Sequence, residues 1–89
     1  MAAYVYILEC KDGLYYTGCT AKEISKRVLE HNQGQGANFT KTRLPVKLVY
    51  SRAYVTVDEA FQREKQIQGW SRKKKQLLID GKEDLLEEH

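Results

Sequence analysis

Glu64 is the residue whose placement most needs a chemical explanation. It falls in the helical-period stripe Val57, Ala60, Phe61 and Ile67, at a position where another apolar side chain is expected. An ionised carboxylate among apolar neighbours is costly unless a cation, a hydrogen-bond donor or water reaches it, and a divalent metal would supply the cation. Arg27 and His31 stand four residues apart, so one helical face carries a planar five-donor cation and a titratable imidazole. That pairing suits a phosphate. Tyr6 and Tyr16 add two phenols from aromatic, branched segments. Taken singly, each group has an ordinary reading: a surface ion pair, two side chains snorkelling from an amphipathic helix, two packing aromatics. Brought to one place, they would serve metal-assisted phosphoryl chemistry.

The elements that must position them follow from turn and cap signals. Tyr4 to Cys10 and Leu14 to Gly18 flank Lys11-Asp12-Gly13, which reads as a hairpin. A three-residue loop with Gly13 left-handed pairs Cys10 with Leu14. It sets Leu8 opposite Tyr16 and Tyr6 opposite Gly18, with both tyrosines on one face, and this register is expected. A two-residue turn would send the tyrosines to opposite faces. Thr20 and Glu23 have capping-box spacing, predicting a helix from Thr20 to about Asn32, ended by Gly34 and Gly36, with Ile24 and Val28 beside Arg27 and His31. Residues 34–45 read as an exposed basic loop leading into a third strand, Val46 to Tyr50. Thr56 and Glu59 repeat the capping box for a helix ending near Gly69, and Ser71 caps a last helix, Arg72 to Asp80, stopped by Gly81.

Tyr4-Val5-Tyr6, Tyr16-Thr17-Gly18, Arg27 with His31, and Glu64 occur in an order and spacing that resemble the GIY-YIG nuclease superfamily. The chain most resembles its small stand-alone YhbQ-like members, echoed in Gly34-Gln35-Gly36-Ala37, in Leu44 to Tyr50, in Arg63-Glu64-Lys65-Gln66-Ile67 and in Trp70 to Lys74. The likeness runs over roughly residues 3–80. It implies an α+β fold, a three-stranded antiparallel sheet flanked by helices. The independent reading of the elements, in the order β-β-α-β-α-α, agrees with it. A GIY-YIG domain over residues 1–80 is expected, with 81–89 as an acidic, flexible tail.

The resemblance makes Tyr6 and Tyr16 the signature tyrosines, Gly18 the closing glycine, Arg27 the catalytic arginine, His31 the group one turn beyond it, and Glu64 the metal ligand. Tyr4, Val5 and Thr17 depart from the motif letters. The asparagine that many relatives carry beyond the glutamate is absent, leaving Gln66, Gln68 or Gln76 for its place. One divalent ion, Mg2+ or Mn2+, is expected, because Glu64 is the only acid in an inward stripe. Arg27 would grip phosphate oxygens, and a tyrosine, Tyr6 ahead of Tyr16, would take the proton of water. A phenol then needs its pKa lowered from 10 by about two units, with Arg27, the metal and Lys11 or Lys22 as the cations.

Charge and composition fit this picture. Five acids against one lysine give the last ten residues −4, so the formal +3 leaves +7 on residues 1–79. Such a body favours a polyanion. Lys41, Arg43 and the run Arg72, Lys73, Lys74 and Lys75 are the expected backbone contacts, with Phe39 or Trp70 placed to stack a base. With 89 residues and 42% hydrophobic content, one modest core is expected. Two cysteines, no leader-like run and no apolar stretch of spanning length predict a reduced, cytoplasmic protein without a membrane segment. The expected function is structure-selective endonucleolytic cleavage or nicking of DNA, favoured over RNA, as in DNA repair. A protein partner or homodimer would supply the area that a 10.3 kDa domain lacks. The alternative is a weakly active or non-catalytic nucleic-acid-binding module on the same fold.

Overall fold

The computed structural model describes residues 2–88. Its elements are β1 (Ala3–Glu9), β2 (Tyr15–Thr20), α1 (Ile24–Asn32), α2 (Asn38–Lys41), β3 (Lys47–Tyr54), α3 (Val57–Gln68), α4 (Arg72–Ile79) and a 3-10 helix over Glu83–Glu88. The three strands form one antiparallel sheet in the order β2-β1-β3.

β1 is central, and both of its faces are covered. Ala3, Val5 and Ile7 pack with Ala60 and Ile67 of α3 and Leu78 of α4. Tyr6, Leu8 and Cys10 pack with Val46, joined by Ile24 and Val28 of α1. A strand buried on both sides carries a continuous apolar run instead of an alternating one, which is why the segment reads Tyr-Val-Tyr-Ile-Leu. The hairpin takes the three-residue loop: Cys10 donates to the Leu14 carbonyl at 2.8 Å, and Gly13 has φ 86°. Leu8 lies opposite Tyr16 and Tyr6 opposite Gly18. The expected register is therefore present, and it puts both tyrosines on the face that α1 covers.

Four expectations change. The first helix starts at Ile24, not Thr20: Thr20 still belongs to β2, its hydroxyl accepts from the Lys22 amide in a local turn, and Glu23 caps without a side-chain bond. Capping-box spacing alone cannot tell a turn from a helix start. Residues 34–45 are not simply an exposed loop, because they contain α2 and the fully buried Thr40. On α3, Ala60 and Ile67 face the core while Val57 and Phe61 are exposed, so the stripe is narrower than the sequence suggests. The acidic segment expected to be a flexible tail carries the 3-10 helix, whose Leu86 packs against the larger core cluster.

The other caps form as read. Thr56 accepts from the Glu59 amide to cap α3 and donates its hydroxyl proton to the Glu59 carboxylate, and Ser71 accepts from the Lys74 amide to start α4. Asn32 pins the end of α1 to the start of β3, donating to the Val46 carbonyl and accepting from its amide. No helix among the described residues is long and apolar enough to cross a membrane.

Candidate active site

Tyr6, Arg27 and His31 form one hydrogen-bonded set between the sheet and α1. The Tyr6 hydroxyl lies 2.9 Å from His31 Nε2, and Arg27 Nε donates to the same oxygen at 3.3 Å. Arg27 Nη1 donates to Glu30 at 3.0 Å, and Glu30 also receives Lys22. The guanidinium is thus held from two sides, and its second amino group has no hydrogen-bond partner among the described residues. Tyr16 completes the cluster, its ring centroid 6.5 Å from that of Tyr6 and 5.4 Å from that of His31. Gly18 makes this possible: a Cβ there would lie 2.6 Å from the Tyr6 hydroxyl oxygen and 3.0 Å from the Tyr16 ring.

His31 is fully buried, and its seat was only partly legible in the sequence. Its Nδ1 is 2.8 Å from the Thr40 hydroxyl, and a Cβ on Gly36 would lie 2.1 Å from that same nitrogen. Burial first, and then the neighbouring Arg27 charge, push the His31 pKa below its usual 6.5. The folded protein therefore favours the neutral ring, and stability that is complete above pH 6.5 falls as the pH drops below that value. The urea midpoint of wild type is expected to decline more steeply from pH 7.5 to pH 5 than that of His31→Gln, a comparison read by circular dichroism. Parallel declines would remove His31 as the cause.

The two tyrosines differ in access. Tyr6 is 1% exposed, and burial raises its pKa to about 12, against the lowering influence of Arg27. Burial thus works against the lowered phenol expected of Tyr6, and Lys22, one of the cations expected to lower it, is paired with Glu30. Tyr16 is half-buried and lines a cleft of about 310 Å³ with Tyr15, Thr17, Phe39, Gln68 and Lys75. Its pKa is raised by burial and then by Glu64, whose negative charge disfavours the phenolate. Glu64 thus lies near enough for its charge to reach Tyr16 from the β2 side of α3, and among the described residues it shares no hydrogen bond with Tyr6, Arg27 or His31. Its neighbours are the Cys19 thiol, which burial and Glu64 push up, and Gln68, which donates to its Oε2 at 2.8 Å and to the Thr17 carbonyl.

The chain has relatives among known proteins. The description "GIY-YIG catalytic domain" matches residues 2–76. The chain belongs to the GIY-YIG family. A UPF0213 protein of Staphylococcus saprophyticus is 54% identical over 76 residues, which cover 85% of this chain and 92% of that one. A UPF0213 protein of Staphylococcus aureus is 51% identical over the same length and shares. Two solution NMR structures share the fold. The UPF0213 protein BH0048 of Bacillus halodurans has a TM-score of 0.59 at 43% identity, covering 92% of this chain and 86% of its own. The protein EF2693 of E. faecalis has 0.61 at 32%, covering 91% and 85%.

Within this GIY-YIG domain, Gln68 is the glutamine that reaches Glu64. Gln66 binds Arg63, and Gln76 binds Tyr15 and Asp80. The donor set suits a hard divalent ion. Among the described residues no group of three or more His, Cys, Asp and Glu side chains could cage a metal. A single carboxylate nevertheless matches Mg2+, which keeps several waters and takes its remaining oxygens from a phosphate substrate. Cys19 is a soft donor that such an ion does not favour.

The basic residues divide between two places. Arg72 lies 4.3 Å over the Tyr15 ring and donates to the Gly13 carbonyl, and it lines a second cleft with Leu14, Tyr15, Phe39 and Lys75. Arg43 lies 4.1 Å over Phe39, which itself stacks on Tyr16, and pairs with Asp12. Lys73 and Lys74 line a separate pocket with Ser71 and Leu77, and Lys41 is exposed on α2. Trp70 packs against the larger core, lies under Arg63 and lines a different cleft with Glu83, Asp84 and Leu86.

Proposed function

We propose that the protein is a metal-dependent endonuclease that hydrolyses phosphodiester bonds, with DNA as its substrate in preference to RNA and with strand geometry, not base sequence, selecting the cut. The observation that carries this reading is the convergence of Arg27 and His31 on the Tyr6 hydroxyl oxygen, with the Tyr16 ring beside it and the Glu64 charge reaching Tyr16. Arg27 presents its second amino group to a non-bridging phosphate oxygen. Tyr6 and His31 hold that guanidinium in place from behind. Tyr16 faces the cleft, so it meets the attacking water and takes its proton; burial withdraws Tyr6 from that role. Glu64 would hold one Mg2+ or Mn2+, which when bound supplies positive charge to the phosphate and the departing oxygen and offsets the carboxylate charge that disfavours the Tyr16 phenolate. Gln68 fixes the carboxylate rotamer. Arg72, Lys75 and Arg43 rim the cleft and contact the nucleic-acid backbone without reading bases.

Tyr16→Phe is expected to slow single-turnover cleavage of a branched DNA duplex in Mg2+ by about 100-fold or more, the usual scale of a lost general base. Tyr6→Phe, acting through the aim of Arg27, is expected to cost less. A Tyr16→Phe protein that cuts at the wild-type rate would remove Tyr16 as the base.

A further inference from the structure

We propose that Thr40 is a positioning residue: it fixes which nitrogen of His31 carries the proton, and through His31 and Tyr6 it sets the aim of Arg27. Thr40 is completely buried on α2, outside the motifs that single out the other residues of the site. Four polar groups run in series, from Arg27 Nε to the Tyr6 hydroxyl, then His31 Nε2, with Nδ1 on its other side bound to Thr40 Oγ1. Thr40 Oγ1 in turn donates to the Ala37 carbonyl at 3.0 Å. A hydroxyl has one proton to give. With that proton on Ala37, Thr40 accepts from Nδ1–H, and Nε2 is left bare. Tyr6 then donates to Nε2 and keeps a lone pair for Arg27.

Every donor in this direction meets an acceptor. In the opposite direction Thr40 donates to Nδ1, Nε2–H points at Tyr6, and the Tyr6 oxygen faces two donors while its own buried proton has none of these acceptors left. An unmet buried donor costs more than the bond it replaces, so the network runs one way. Gly36 closes the seat, since a side chain there would displace the nitrogen that Thr40 holds.

The tautomer stands on geometry alone, whereas its effect on rate rests on the hydrolytic reading above. Nitrogen-15 spectra of histidine-labelled protein at pH 7.5, assigned with His31→Gln, test it. Wild type and Thr40→Ser are expected to show a protonated Nδ1 and a bare Nε2. Thr40→Val, which keeps the volume but leaves Nδ1–H without its acceptor, makes each tautomer leave one buried donor unmet. It is therefore expected to lose the single Nδ1–H form for a mixture of the two tautomers and to slow DNA cleavage by about 10-fold or more, the scale of a lost residue behind an active group. Wild type with Nε2 protonated, or Thr40→Val with an unchanged tautomer, overturns the proposal. If Thr40→Val fails to fold, the wild-type and Thr40→Ser spectra decide it by themselves. A tautomer that responds to Thr40→Val as described in a protein that cuts no DNA supports the role of Thr40 and counts against the nuclease reading instead.

Discussion

Glu64→Gln is expected to reduce Mg2+-dependent cleavage by about 1,000-fold or more, equivalent to about 4 kcal/mol of barrier, and to leave the fold unchanged. Gln68 donates to Glu64 Oε2, and a glutamine at position 64 can turn its carbonyl to accept the same bond. The half-buried side chain keeps its shape and its local partner, so the charge alone is lost. Mn2+ binding followed by electron paramagnetic resonance should weaken in parallel, with a thermal midpoint within about a degree or two of wild type. Full cleavage by Glu64→Gln would contradict the assignment of Glu64 as the metal ligand.

Arg27→Ala is expected to cost about 100- to 1,000-fold in the single-turnover rate, the scale of removing a charged donor from a phosphoryl transition state. Arg27→Lys should recover little. The guanidinium reaches Tyr6 with Nε and Glu30 with Nη1 at once, and an ammonium has neither the fork nor the second direction. Affinity for nucleic acid, measured without metal, should fall far less, because Arg72 and Lys75 remain at the cleft and Arg43 remains over Phe39, one of its lining residues. A variant that lost binding and rate equally would make Arg27 a general contact and not a transition-state group.

Much of this site was legible because its signals are local. The Lys11-Asp12-Gly13 loop dictates the register that brings Tyr6 and Tyr16 to one face, and the four-residue step dictates that Arg27 and His31 share a side of α1. Their inward direction followed from Ile24 and Val28, which pack where expected. What escaped depends on contacts distant in sequence. Tyr6 reads as half-buried until β1 is known to be the central strand, covered on both faces, and that burial raises its phenol instead of lowering it. Thr40 sits on a helix of four residues, too short for any periodicity, and its partner is nine positions away. The choice among Gln66, Gln68 and Gln76 turns on how the end of α3 meets β2. Lys73 and Lys74 look equivalent to Arg72 and Lys75 in sequence, yet one helical turn sends them to another pocket.

Side-by-side cleavage of single-stranded, duplex, flapped and branched DNA by wild type and Glu64→Gln, in Mg2+ and in Mn2+, tests most directly that these residues form one hydrolytic site. Wild type is expected to cut at least one of the structured substrates in a metal-dependent way, while Glu64→Gln binds the same substrate and leaves it whole. Equal binding by both proteins with no cleavage in either metal would contradict the account and make the domain a nucleic-acid-binding module.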